Sequence, residues 1–180
     1  ELSVAKFQKI GSDSGIYDFN GSSPKSLRGP AKDCSAIITE IPPKTKSAVE
    51  LKRARELDLG TTERTILVQF RTSKTGTLIS SAPPTGKWTP NGKTLFLRND
   101  ELVFDIGWVG ALRGKADVRD GKWHIAAVVV GNDKTQLFVD GKLLATRQEF
   151  HRPHVNGHVF KIGSTATDFG GEFEGDMGWV

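Results

Sequence analysis

The chain has 180 residues, of which 37% are hydrophobic and 26% are charged, and its formal net charge is +4. This length suits one domain with a sizeable core, predicted here over residues 1–180, and the composition argues against a disordered chain. No window approaches the roughly 18 consecutive apolar residues of a membrane span, and so modest a positive excess does not indicate nucleic-acid binding.

The first sixty residues give the weakest pattern of secondary structure. Residues 2–10 alternate loosely and predict a strand, and residues 11–32 are typical of a long loop with one short strand at 16–19. Another short strand is predicted at 36–41. Residues 48–59 mix helix-forming residues with alternating apolar ones, so a helix and a strand both stay open there.

From residue 65 onwards, short apolar runs separated by turn residues predict a series of strands. They cover residues 65–72, 77–80, 94–98, 101–106, 125–130, 159–162 and 172–180, with two more flanking the hairpin dipeptide Asp140-Gly141. Two irregular segments, 81–93 and 107–119, interrupt the series. About ten short strands with almost no helix predict an all-β fold, a sandwich or a barrel.

Several of these stretches carry a family resemblance. The turn at residues 120–124 (DGKWH) and the strand and turn at 137–142 (LFVDGK) resemble the "DGxWH" and "lyvDG" motifs of laminin G-like domains. Residues 65–80, 158–164 and 173–180 are similar to further strands of that family. The resemblance implies a two-sheet antiparallel β-sandwich, the concanavalin A-like jelly roll. It also implies that Trp123 buries its indole at the rim of the core and that His124 hydrogen-bonds a neighbouring loop.

Aromatic side chains in the irregular segments are the first candidate binding residues. Sugar rings stack their C–H faces on flat aromatic rings, while polar groups around them fix the hydroxyls. Trp88 and Trp108 lie in Gly-flanked segments, and Tyr17 is a third candidate. Arg98 and Arg113 are expected to help if the ligand is anionic. The alternative is that each tryptophan plugs one end of the sandwich.

Calcium at the rim of the sandwich is the cofactor that the family resemblance implies. Its oxygen ligands would come from Asn99, Asp100, Asp105 and Asp117, which surround two predicted turns. No stretch has the spacing of an EF-hand loop. Turn-forming Asn and Asp residues explain the same positions equally well.

Two further side-chain clusters have catalytic or metal-binding chemistry. His151, His154 and His158 are residue types that bind zinc or copper, but Pro153 splits them and a chance loop cluster is the favoured interpretation. Glu172, Glu174 and Asp176 alternate along the predicted last strand and would share one face. Glycosidases use two carboxylates about 5–10 Å apart. Some hydrolases of the concanavalin A-like fold carry Glu-x-Asp-x-Glu or Glu-x-Asp-x-x-Glu on one strand, whereas this chain has the order Glu-x-Glu-x-Asp.

The segment before residue 60 holds two features with an open interpretation. Cys34 is the only cysteine, which excludes an intramolecular disulfide, and without an activating neighbour it is interpreted as a partly buried structural residue. A basic cluster predicts either a polyanion-binding patch or a solvated loop, and it consists of Lys44, Lys46, Lys52, Arg53 and Arg55.

These observations favour a non-catalytic module that binds a glycan or glycoconjugate, including an anionic polysaccharide. The alternatives are a structural or adhesive domain with a protein partner, and a glycosidase or lyase that uses the last-strand carboxylates. The chain begins with Glu1 and has no apolar signal segment, so we expect either a removed leader or a domain of a larger protein. An extracellular or cell-envelope location is the corresponding expectation.

Overall fold

The computed structural model describes residues 16–18, 25–28, 36–39, 48–51, 60, 63–165 and 167–180, which contain fourteen strands and no helix long and apolar enough to cross a membrane. Four strands precede residue 60: β1 (Ile16–Asp18), β2 (Lys25–Arg28), β3 (Ala36–Thr39) and β4 (Ala48–Leu51). Ten follow it: β5 (Arg64–Arg71), β6 (Gly76–Ala82), β7 (Lys93–Arg98), β8 (Glu101–Ile106), β9 (Gly110–Lys115), β10 (Trp123–Val130), β11 (Lys134–Val139), β12 (Lys142–Gln148), β13 (Val159–Ile162) and β14 (Asp176–Trp179).

The strands form two antiparallel sheets packed as a sandwich. Sheet A has the strand order β12-β11-β10-β5-β14-β1-β2, and sheet B has the order β3-β4-β13-β6-β7-β8-β9. Alternation puts one face of each strand into the core, where Val68 and Phe70 of sheet A join Leu95 and Phe104 of sheet B in one buried cluster. Each such side chain contributes about 1.5–3 kcal/mol on burial, so this core fixes the positions of the loops. The predicted all-β, two-sheet sandwich is confirmed.

The hairpin predicted at Asp140-Gly141 is confirmed and joins β11 to β12. Asp140 has a φ of 48° and Gly141 a φ of 78°. Two successive positive φ angles are the geometry that type I′ hairpins require, and Asp-Gly is a preferred sequence for it.

The prediction that residues 107–119 are irregular throughout is wrong, because residues 110–115 form β9. Its glycines lower the intrinsic strand propensity. Gly114 is nevertheless required by packing, since a Cβ at that position would lie 2.8 Å from the Cβ of Leu144. The predicted loop over residues 11–32 likewise contains β2. The ambiguous stretch 48–59 begins as a strand, β4.

The last strand starts at Asp176 and not at residue 172. Gly175 packs so closely on β5 that a Cβ there would lie 2.1 Å from the carbonyl oxygen of Arg71. The preceding residue Phe173 turns into the core and its N–H donates to the carbonyl of Gly163 at 2.8 Å. These non-strand contacts delay pairing with β5 until Asp176. The predicted strand at 2–10, Cys34 and the basic cluster over 44–55 lie outside the described residues.

The two ends of the sandwich carry different connections. The loop end consists of residues 83–92, 107–109, 131–133 and 149–158, which join β6 to β7, β8 to β9, β10 to β11 and β12 to β13. The turn end consists of residues 72–75, 99–100, 116–122 and 140–141. Because β10 runs from one end to the other over 8 residues, the two ends are about 25 Å apart.

Candidate functional site

Trp108 is at the tip of the β8–β9 hairpin, in the loop end. The N–H of Val109 donates to the carbonyl of Ile106 at 2.9 Å, which closes a four-residue turn with Trp108 in the third position. The backbone of Trp108 has a φ of 60° and its residue surface is 74% exposed. Turns with a positive φ at this position normally place Gly or Asn there.

The conformation of Trp108 is unfavourable for the fold. A left-handed backbone costs a residue with a Cβ about 1–2 kcal/mol. An indole that stays largely in solvent recovers little of this cost through burial. Strain held at an exposed aromatic residue is a feature of functional sites, so Trp108 is the leading candidate for ligand contact.

The hairpin of Trp108 is docked rigidly onto the neighbouring segment 83–92. The N–H of Asn91 donates to the carbonyl of Gly107 at 2.9 Å, and the N–H of Gly107 donates to the carbonyl of Gly92 at 2.8 Å. A Cβ on Gly107 would lie 2.3 Å from the carbonyl oxygen of Thr89 and 2.9 Å from Nε1 of Trp88. Gly107 therefore permits the contact that places Trp108.

Arg147 is the cation beside Trp108, although it belongs to the other sheet. Its Nη2 donates to the carbonyl of Val109 at 3.2 Å, and its Cζ lies 4.4 Å from the ring centroid of Phe150. The side chain is exposed at the edge of the sandwich. Sequence reasoning missed Arg147, because its link to the tryptophan depends on the meeting of β12 with β9 across the two sheets.

The loop end carries a small excess of positive charge. Its four connections contain Lys87 and Arg152, to which the neighbouring Arg147 adds a third cation, against the carboxylates of Asp133 and Glu149. Buried Lys93 links two of these connections, since its Nζ donates to the carbonyls of Asn91 at 3.4 Å and Pro153 at 3.2 Å. An exposed aromatic ring with nearby guanidinium and ammonium groups suits a ligand with an apolar face and negative charge.

Trp88 lies next to this turn but is packed into the structure. Its ring stacks on Phe169 with centroids 4.6 Å apart and an interplanar angle of 19°. Its backbone N–H donates to Oδ1 of Asp168 at 2.7 Å. On the other side, a Cβ on Gly92 would lie 3.1 Å from the indole. Of the two predicted platforms, Trp108 is the exposed one and Trp88 supports the loop beneath it.

The other predicted ligand-binding residues lie away from the loop end. The guanidinium of Arg98 is 4.8 Å from the ring centroid of Phe96 and 5.6 Å from that of Phe169. Arg113 is exposed on β9. Both arginines are therefore on the strands of sheet B. Tyr17 lies on β1 of sheet A, and its side chain is outside the described part of the chain.

The predicted calcium ligands do not converge on one point. Asn99 is a turn residue with a φ of 52°, and Asp100 pairs with Arg119. Asp105 is on β8, five residues beyond Asp100, which is about 16 Å along an extended strand. Burial raises the pKa of the Asp105 carboxyl. Asp117 is exposed in the 116–122 connection.

No group of three or more His, Cys, Asp and Glu side chains suited to a metal occurs among the described residues. The four predicted calcium ligands thus do not fit a single ion, and calcium stays a prediction. The same holds for zinc or copper at the histidines. His158 is buried, with its Nε2 3.1 Å from the hydroxyl of Thr89, while His151 and His154 are half-buried.

The three C-terminal carboxylates do not share a strand face. Glu172 and Glu174 are exposed and precede β14, and Asp176 opens that strand. Oδ2 of Asp176 accepts hydrogen bonds from Nε and Nη2 of Arg71 at 3.1 and 2.9 Å. This geometry differs from the alternating set that the sequence predicts.

Trp123 is 45% exposed, so the prediction that its indole is buried at the rim of the core is wrong. The core residues of β10 include Ala126 and Val128, and residue 123 has the opposite parity on the strand. Its side chain consequently lies on the outer face of sheet A, where the guanidinium of Arg71 is 5.0 Å from the indole centroid.

His124 bonds a neighbouring turn, as predicted. Its Nδ1 is 2.7 Å from Oδ2 of Asp140, and its Nε2 is 3.0 Å from Oδ1 of Asp120. Burial lowers the pKa of His124, but the two carboxylates outweigh burial and the pKa is raised overall. The hydrogen bond from His124, followed by those from Lys122, lowers the pKa of Asp120. This network fixes the turn end.

A family comparison agrees with the fold. Residues 58–180 match the model of the concanavalin A-like lectin/glucanases superfamily. The chain belongs to this superfamily. The resemblance to laminin G-like domains noted in the sequence is thereby confirmed. No curated protein sequence matches the chain.

Similar solved structures share the fold at low sequence identity. The CBM40 module of the Ruminococcus gnavus IT-sialidase, bound to α2,3-sialyllactose, is 16% identical with a TM-score of 0.59, over 81% of this chain and 86% of that one. The botulinum neurotoxin serotype D binding domain is 11% identical with a TM-score of 0.60, over 93% and 46%. Domain 4 of AbnA, a GH43 extracellular arabinanase from Geobacillus stearothermophilus in complex with arabinotriose, is 15% identical with a TM-score of 0.57, over 81% and 72%.

Proposed function

We propose that this domain is a non-catalytic glycan-binding module whose principal platform is Trp108. The observation that carries the proposal is the combination of a strained backbone with a 74% exposed indole. A flat aromatic ring held on a rigid hairpin offers a stacking surface at a low cost in conformational entropy. The saccharides in two of the similar structures support this ligand class.

Within that class, we propose an acidic glycan as the preferred ligand. Arg147 stands beside the platform, and Lys87 and Arg152 leave the loop end with more positive than negative side chains. A carboxylate or sulfate on the sugar would gain a charge-assisted hydrogen bond from a guanidinium. Binding through such exposed charges weakens as salt screens them.

A glycan array followed by calorimetric titration tests the proposal. The array includes sialylated, sulfated, uronic and neutral glycans. Trp108→Ala should weaken binding of the best acidic glycan by about tenfold or more, equivalent to about 1.4 kcal/mol. Leu143→Ala is the matched control, since Leu143 is also an exposed apolar residue, at 47%, but lies on β12 away from the loop end. Unchanged binding by Trp108→Ala, or no glycan bound above background, contradicts the proposal.

The domain is further proposed to act as part of a secreted or cell-envelope protein, without its own catalytic centre. Asp176, the most constrained of the three C-terminal carboxylates, is already engaged by Arg71. Calcium stays a prediction that the same titration tests after dialysis against EDTA. If the variants Glu172→Gln and Glu174→Gln abolish a glycan-cleaving activity of the intact domain, the non-catalytic assignment fails.

A protein-binding role is the second candidate, supported by the outer face of sheet A. Leu67, Ala127, Phe138 and Leu143 face one another across β5, β10, β11 and β12 and form one apolar row. Leu143 is 47% exposed, whereas Ala127 is buried. Apolar rows of this kind mark protein contacts when they form a large patch. Self-association by sedimentation that Leu143→Asp abolishes would favour this role.

A further inference from the structure

A second exposed tryptophan, Trp123, lies at the turn end, about 25 Å from Trp108 by the length of β10. It faces outward from sheet A with Arg71 of β5 as its cross-strand partner, and Asp176 of β14 is the next residue in the same row. These three side chains, on adjacent strands, are called the Trp123 row. They combine an apolar ring, a hydrogen-bond donor and a hydrogen-bond acceptor.

The Trp123 row is preorganised. Nε and Nη2 of Arg71 both donate to Oδ2 of Asp176, and the guanidinium packs 5.0 Å from the indole centroid of Trp123. The strand register holds all three backbones. The His124 network fixes the residue that follows the tryptophan. Binding of a ligand here therefore immobilises few further side chains, so its cost in conformational entropy is small.

Each member of the row keeps an unused binding group. The indole of Trp123 is exposed over 45% of its residue surface. The Arg71 and Asp176 side chains are 45% and 60% exposed. Within the described part of the chain, Nη1 of Arg71 and Oδ1 of Asp176 make no hydrogen bond. A saccharide matches this set, because its C–H face stacks on an indole while its hydroxyls both donate and accept.

The charge of the surroundings selects among saccharides. Arg71 is paired with Asp176, and Lys122 is paired with Asp120 at 2.9 Å. Asp140 adds a further carboxylate through its bond to His124. Arg71 within the row and Lys122 next to Trp123 thus already have anionic partners, so a carboxylated or sulfated ligand stacked on Trp123 would meet the carboxylate of Asp176 without a free counter-charge from either cation. This environment contrasts with the positive loop end.

We propose that the Trp123 row is a second glycan site, specific for neutral sugars. A neutral sugar ring stacks on Trp123, one hydroxyl donates to Oδ1 of Asp176, and another accepts from Nη1 of Arg71. The site lies at the opposite end of the sandwich from Trp108 and does not depend on the function proposed there. A module with both sites contacts two parts of one polysaccharide, or two chains of different charge.

NMR titration of the isotopically labelled domain tests the second site directly. The chain has 4 tryptophans, so four indole N–H signals report each ring separately once they are assigned by single Trp→Phe variants. The probes are neutral hexasaccharides (cellohexaose, xylohexaose, mannohexaose and arabinohexaose) added to millimolar concentrations. The expected result is a saturable shift of the Trp123 signal with at least one probe, while the Trp108 signal stays in place.

Variants separate recognition from a general surface effect. Trp123→Ala and Asp176→Asn should each weaken the bound probe by about tenfold, whereas Trp108→Ala and the control Leu143→Ala leave it unchanged. The spectral dispersion of each variant shows whether it is folded. Trp123→Phe keeps an aromatic ring and should therefore retain part of the affinity for the probe. No shift of the Trp123 signal with the whole panel overturns the proposal. A shift with acidic oligosaccharides alone also overturns it.

Discussion

Trp108 and Trp123 are both exposed on this sandwich, at 74% and 45%, yet they are held in different ways. Trp108 sits in a turn with a strained backbone, beside an arginine that has no carboxylate partner among the described residues. Trp123 opens a regular strand, and the arginine that covers it is bound to Asp176. One tryptophan lies in a positive environment and the other in a balanced one.

The difference shows how one fold offers two binding surfaces with separate preferences. At the loop end, hairpin docking places an aromatic ring where the fold itself would favour Gly or Asn. At the turn end, strand register alone lines up the ring, the guanidinium and the carboxylate. Changes at one end should therefore leave the other end functional, because the core between them is continuous and buried.

The largest effect is expected from Gly107→Ala, which should impair binding at the loop end and leave the turn end functional. A Cβ at this position would lie 2.3 Å from the carbonyl oxygen of Thr89, so segment 83–92 must move. Overpacking of this kind costs about 1–3 kcal/mol, and each kcal/mol lowers Tm by about 2–4 °C in a domain of this size. Thermal unfolding and the two titrations should show lower stability and lost acidic-glycan binding, with the Trp123 signal still responsive.

Gly131→Ala is the control for Gly107→Ala. Its Cβ would lie 3.5 Å from the nearest atom, the carbonyl oxygen of Lys134, which is an ordinary contact. We expect a change within about 0.5 kcal/mol. If the two alanine variants have the same Tm and the same glycan affinity, the docking of the Trp108 hairpin does not depend on Gly107.

A smaller effect is expected from His124, which stabilises the turn end alone. Its pKa is raised in the folded state above its ordinary value of about 6.5, so its contribution to stability is complete below that pH and is lost as pH rises through the folded pKa. Histidine NMR titration should show the raised pKa. Urea unfolding at a pH below about 6.5 and at a pH above the folded pKa gives the free energy of unfolding in each condition. The decrease between the two should be smaller in His124→Gln than in the parent. An equal pH dependence in the variant and the parent would contradict this assignment.

Much of the fold follows from local patterns in the sequence. The short apolar runs at 94–98 and 101–106 and the Asp140-Gly141 turn are each local signals, and all three form as predicted. Strand β9 is not predicted from the local sequence pattern, since its glycines lower the strand propensity. Gly114 becomes favourable only once Leu144 of another strand packs over it.

The binding surfaces follow from the sequence only in part. Trp108 is detectable because glycines flank it in an irregular segment. The orientation of Trp123 is hidden, because the run at 125–130 is apolar at every position and shows no alternation from which to infer a face. Arg147 and Asp176 are brought to their tryptophans by pairing between distant strands, which no local pattern encodes.

The central claim, that Trp108 is retained for binding and not for the fold, is tested most directly by Trp108→Asn. Asn tolerates the left-handed backbone of this turn, and the lost indole makes little packing. We predict a gain of about 1 kcal/mol, seen as a Tm about 2–4 °C higher, together with loss of acidic-glycan binding in the same preparation. A lower Tm with glycan affinity unchanged would contradict the claim.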